Sequence, residues 1–232
     1  MSATAKRDLA GRYASAEFTA LELAALDWLD GFYQLEHLLS AREWAIRLDP
    51  CASDALRFAA LVHDAERFFP GGPSSTPQDG FDNPDYLFAH SLRSADIVQQ
   101  WLAAQGVPVD DPFSRRVRVL ILRHELGGDT EEDILQAADS LAFLSTFDWL
   151  VVQWVRDGHY TVPRAREKLD WTMTRIRLTK AMGFALPLYA DIVSALENPT
   201  PPAINPQDRR ALAGNRDFLL GLTSTASDAA EA

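Results

Sequence analysis

Residues 53–69 read SDALRFAALVHDAERFF. Leu56, Ala60, His63 and Arg67 recur at spacings of four, three and four, the period of one helical face, and Ser53 stands where an N-cap belongs. The stretch predicts a helix from Ser53 to Phe69 whose inward stripe carries an imidazole and a guanidinium, with Asp64 one step round from it. Similar stripes follow: Leu87, His90, Ser94, Ile97 and Trp101, then Val117, Leu120, Ile121 and His124, then Leu135, Asp139 and Ala142. Each is apolar apart from a histidine, an aspartate or a serine.

Helical periodicity runs from Phe18 to Leu196 with neither a series of alternating strands nor an internal repeat, so the expected fold is an all-α, single-domain helical bundle. Its expected bounds are 1–198, with a C-terminal appendage over 199–232, where Pro-Thr-Pro-Pro leads into a short helix and a small polar tail. Asp49-Pro50, Gly106 with Pro108, Asp111-Pro112 and Gly127-Gly128 punctuate the helices, and Asp129 or Thr130 opens the one carrying Asp139. The glycines, prolines and serines between Pro70 and Pro84 predict a long loop able to border a pocket.

A chain of 232 residues, 47% hydrophobic and 24% charged, is long enough to bury one core. Its net charge of −11 argues against nucleic-acid polymers and anionic membranes, because phosphate backbones are bound chiefly by lysine and arginine. Small molecules are the expected partners. The single cysteine, Cys51, excludes an internal disulfide. No apolar run approaches the roughly 20 residues of a membrane span and the N-terminus lacks a signal-like apolar centre, so a soluble cytoplasmic protein is expected.

Four of the five histidines join two aspartates in one ordered series: His37, His63, Asp64, His90, His124, Asp139. Any one histidine on an apolar stripe reads as a hydrogen-bonded core residue. Six such groups on successive helices need partners, since an unpartnered buried polar group costs several kcal/mol. Coordination of a metal would satisfy them together. Most of the six tryptophans, Trp44, Trp101 and Trp171 among them, read as core, and His159 as a surface or loop residue.

At these residues the chain resembles the HD-domain superfamily, helical metal-dependent phosphohydrolases marked by a histidine, a His-Asp pair and a distant aspartate. His37, His63, Asp64 and Asp139 match that series. ALRFAALVHDAERF, AHSLRSADIVQQWLAAQG and LILRHELGGDTEEDILQAADSLAFL resemble its helices, over a motif region of 37–144. The resemblance implies that His37, His63, Asp64 and Asp139 hold one metal, and that His90 and His124 hold a second with Asp64 bridging. One or two divalent ions are implied, from among manganese, iron, cobalt, nickel, zinc and magnesium.

The expected activity is hydrolysis of a phosphate ester or pyrophosphate in a small phosphorylated molecule, with Asp64 and Arg67 as catalytic residues. Two alternatives carry the same ligand order: a di-iron oxygenase, and a catalytically weak module that binds a phosphorylated ligand. Nucleotidase-like members have a glutamate three residues after the paired aspartate, where this chain has Arg67, with Glu66 one place earlier. Cyclic-dinucleotide phosphodiesterases carry a Gly-Tyr-Pro motif absent here. Arg67 offers a phosphate a bidentate fork, and Lys168, Arg175, Arg177 and Lys180 further on could complete an anion pocket. Tyr33, one turn before His37, could lie near the metals.

Overall fold

Six helices of this chain begin where a side chain, from Thr19, Ser53, Asn83, Asp111, Asp129 or Thr161, supplies an oxygen to the orphaned amides of the first turn. The computed structural model describes residues 9–73 and 80–197. The expected appendage over 199–232 and the middle of the Pro70–Pro84 connection lie outside the described residues. Among the described residues there is no strand, and nine α-helices lie wholly within them: α1 (Ala20–Trp28), α2 (Leu35–Leu48), α3 (Asp54–Val62), α4 (Pro84–Ala104), α5 (Pro112–Arg123), α6 (Thr130–Thr146), α7 (Asp148–Arg156), α8 (Val162–Arg175) and α9 (Thr179–Glu197). A 3₁₀ turn, η1 (Ala65–Phe68), follows α3.

Ser53 Oγ accepts from the Leu56 amide at 3.1 Å, and Asp111 accepts from Phe113, with Pro112 opening α5 where its missing N–H costs nothing. Asp129, not Thr130, caps α6 in a reciprocal capping box with Glu132. Gly106 and Gly127 follow α4 and α5 at positive φ, a conformation that side chains with a Cβ rarely adopt.

α2 and α6 pack along each other, and α3 packs against both and against α5. Leu35, Leu38 and Leu39 of α2, Leu56 and Leu61 of α3, and Leu120 and Ile121 of α5 are fully buried, each contributing roughly 1.5–3 kcal/mol relative to an exposed side chain. α4 lies on α5, and α9 covers α6, α7 and α8. Trp101 stacks with Trp28 and Phe58, and Trp44 packs against Phe184. Among the described residues no helix is long and apolar enough to cross a membrane.

Arg42 of α2 is fully buried against Glu22 of α1: its Nε donates to Glu22 Oε1 at 2.6 Å and Nη2 to Oε2 at 3.1 Å. Glu22 Oε2 also accepts from the Thr19 amide at 2.8 Å, closing the capping box of α1. One carboxylate thus starts a helix and fastens it to the central pair.

The expected continuous helix from Ser53 to Phe69 is broken. α3 ends at Val62, and the Ser94 hydroxyl of α4 donates to the His63 carbonyl. In the tighter turns that follow, side chains three residues apart eclipse one another. Asp64 and Arg67 are therefore brought together, with Arg67 Nε donating to Asp64 Oδ2 at 2.9 Å.

Candidate metal centre

Five helical segments deliver six polar side chains to one place. His37 comes from α2, His63 and Asp64 from the turn after α3, His90 from α4, His124 from the C-cap of α5 and Asp139 from α6. None is more than 9% exposed. Asp139 Oδ1 lies 3.2 Å from His37 Nε2 and 3.4 Å from His63 Nε2. Asp64 Oδ1 lies 2.9 Å from His90 Nε2, 3.8 Å from His124 Nε2 and 4.0 Å from His63 Nε2.

Two groups of donor atoms are tight enough to hold a cation. In His37, His63 and Asp64, and again in Asp64, His90 and His124, the donors lie within 4.8 Å of one another. Asp64 belongs to both. The ring orientations suit that use: His63 Nδ1 donates to the Ala60 carbonyl at 3.0 Å and His124 Nδ1 to the Ile121 carbonyl at 2.7 Å, which turns each Nε2 towards the carboxylates. His90 Nδ1 donates to Glu66 Oε1 at 2.7 Å. The buried Nε2 atoms of His63 and His90 face carboxylate oxygens yet have no well-aligned hydrogen-bond partner. Mixed imidazole and carboxylate donors with orphaned nitrogens fit a divalent ion.

Burial and neighbouring charges oppose one another across the site. Burial opposes the charge on Asp64, but Arg67, His90 and His63 outweigh it and hold the carboxyl well below its ordinary range. Asp139 is likewise held well below against burial, by His37 and His63. Burial and Arg67 work against protonated His90, yet Asp64 and Glu66 carry its pKa up to about 9. His124, dominated by burial, falls to about 4. A cation entering the site competes with the protons on the imidazoles.

No protein-family model, no curated protein and no solved structure matches the chain.

His37, Asp64 and Asp139 open onto a cavity of about 140 Å³. Arg67, Lys168 and Arg175 bring positive charge to its wall, and Phe81, Phe143, Phe147, Trp154, Tyr160 and Trp171 make much of the rest aromatic. Phe81 belongs to the Pro70–Pro84 connection, which therefore reaches the cavity. Tyr33 lines it as well, and burial raises the phenol pKa well above 10.

The four cations of the later helical run divide. Lys168 and Arg175 reach the cavity, whereas Arg177 pairs with Asp133 at 3.0 Å and Lys180 donates to the carbonyls of Arg47 and Leu48 at the end of α2. Trp171 lines the cavity, under Lys168 and Arg175, instead of filling the core. His159, expected as a surface or loop residue, also lies in the wall.

Glu125 was not among the sequence candidates. Its Oε1 lies 3.7 Å from His124 Nε2, and its Oε2 is paired with Arg175 Nη1. Arg175 Nη2 reaches Asp139 Oδ2 at 3.4 Å, so one guanidinium spans from Glu125 to Asp139. Against the cost of burial, Arg175 and His124 hold the Glu125 carboxyl below its ordinary range. The available signal was the adjacency His124-Glu125 just before Gly127-Gly128, where a helix end can turn both residues inward.

Proposed function

We propose that the protein is a metal-dependent hydrolase of a phosphate ester or pyrophosphate in a small molecule, an HD-type enzyme with one or two divalent ions. The observation that carries this is the sharing of Asp64 between two potential metal-binding groups, beside a cavity that also presents Arg67, Lys168 and Arg175. Three cations facing carboxylates that can hold metal suit an anionic substrate better than a neutral one.

His37, His63, Asp64 and Asp139 would hold one ion, and Asp64, His90 and His124 the other. Bound there, a divalent ion withdraws charge from a phosphoryl oxygen and lowers the pKa of adjacent water. Arg67 orients Asp64 and offers positive charge to the phosphoryl oxygens. Arg175 fixes Asp139 and Glu125. In the reaction the oxygen of water bonds to phosphorus as the P–O bond to the leaving group breaks, and the proton the water gives up replaces phosphorus on the leaving oxygen.

The test is elemental analysis of purified protein together with a phosphatase panel under each divalent metal, with and without oxygen. Metal-dependent phosphate release in the absence of oxygen is expected. Protein that neither retains nor responds to metal would overturn the proposal. Two irons with turnover only in oxygen would transfer the site to the oxygenase class, and tight ligand retention with no turnover under any metal would make it a binding module.

Two further outcomes follow from the residues. Glu66 is 2% exposed and orients His90, so Glu66→Ala is expected to weaken metal binding about 10- to 100-fold, with Glu66→Gln, which keeps an acceptor, closer to the parent protein in a metal titration. Burial, with Arg175 nearby, draws the Lys168 pKa down to about 8. Its charge is therefore present at lower pH and lost as pH rises through about 8. The pH profile of kcat/KM should fall on that alkaline side, and Lys168→Arg should move the fall to higher pH.

A further inference from the structure

Of the three cations at the cavity, two are engaged by the carboxylates of the site. Arg67 is paired with Asp64, and Arg175 with Glu125 and Asp139. Lys168 differs. Among the described residues no carboxylate pairs with its ammonium, which lies instead over three rings: Trp171 at 4.6 Å, Phe81 at 5.0 Å and Phe143 at 5.2 Å. Ring faces attract a cation but supply no negative charge to balance it. The ammonium also sits with Arg175 and Arg67 as like-charged neighbours, and Glu125 and Asp139 are the carboxylates that act on it from a distance.

We propose that Lys168 anchors a second anionic group of the substrate, so that the site takes a small phosphorylated molecule carrying a further phosphate or carboxylate. This rests on the phosphohydrolase reading. The scissile phosphoryl group occupies the end of the cavity beside Asp64, Asp139 and Arg67, and the second anion reaches the cage formed by Trp171, Phe81 and Phe143. The cage holds the lysine without neutralising it, leaving its hydrogen-bond donors available to an anion.

The test uses full-length, manganese-loaded protein and ligands that cannot be hydrolysed. Methylphosphonate supplies one anionic group. Methylene-, propylene- and pentylene-diphosphonate supply two at increasing separation, and the corresponding phosphonocarboxylates distinguish a second phosphate from a carboxylate. Calorimetry should show one spacer length binding about ten-fold tighter than methylphosphonate, the gain of one charge-assisted hydrogen bond. Lys168→Gln should remove that advantage, lowering affinity for the favoured diphosphonate far more than for methylphosphonate while metal is retained, and Lys168→Arg should keep it.

An advantage that survives in Lys168→Gln, an equal loss for methylphosphonate, or no advantage at any length would overturn the anchor while leaving the phosphohydrolase reading standing. Failure of methylphosphonate and every longer ligand to bind the metal-loaded parent protein would overturn both.

Discussion

Replacing Asp64 with alanine is expected to lower metal-dependent phosphate release at least about 10³-fold, a loss on the order of 4 kcal/mol of transition-state stabilisation. Asp64 belongs to both potential cation sites, and its Oδ2 holds Arg67. Its removal strips a ligand from each site and releases the guanidinium in one step. Elemental analysis should show metal content falling for both positions, whereas His37→Ala should depress only one and His124→Ala only the other. Undiminished metal in Asp64→Ala would overturn the shared-ligand role. Loss of all the metal from His37→Ala and from His124→Ala alike would instead point to a single ion.

The largest effect on stability is expected far from that centre, at Arg42. Arg42→Ala strands the Glu22 carboxylate, which is only 1% exposed, and breaking one side of a buried ion pair costs about 3–5 kcal/mol. It also removes the donors that Arg42 extends to the carbonyls of Ala16 and Glu17. For a chain of this size the loss corresponds to a Tm lower by on the order of 10 °C. The double substitution Arg42→Met with Glu22→Gln should recover much of it, because glutamine keeps an acceptor for the Thr19 amide and leaves no unpaired charge. A urea melt in which Arg42→Ala matches the parent protein would show that the pair contributes nothing to the fold.

The all-helical class was legible because stripes such as Leu56, Ala60 and His63 repeat with helical period and because Ser53, Asp111 and Asp129 mark helix starts. The convergence of His37, His63, His90, His124 and Asp139 was legible for the same reason, each interrupting an otherwise apolar face that must turn inward, whereas Asp64 was legible only through its resemblance to the His-Asp pair. The end of α3 at Val62 was not. It depends on the Ser94 hydroxyl of another helix taking up the His63 carbonyl, a tertiary contact that no local pattern carries. Glu125 was hidden because it follows the last turn of α5, where helical periodicity no longer says which way a side chain points. His159 stands in a turn with no periodicity at all. Lys168 and Arg175 looked the same in sequence as Arg177 and Lys180, and only the packing of α8 and α9 separates them.

The wall that α8 contributes is confined to a short stretch of a single helix. Lys168, Trp171, Thr172 and Arg175 follow one another at spacings of three, one and three, so they share one face and point together into the cavity. None of the six polar residues at the centre comes from α8. Among these four, Arg175 alone touches that centre, through Asp139. Three neighbouring side chains can thus be exchanged as a cassette while the helices bearing the histidines and aspartates stay untouched. Under the proposed function, selectivity for the organic part of a ligand would be separable, within this stretch of α8, from affinity for the ion, giving a redesign effort a small and well-bounded library.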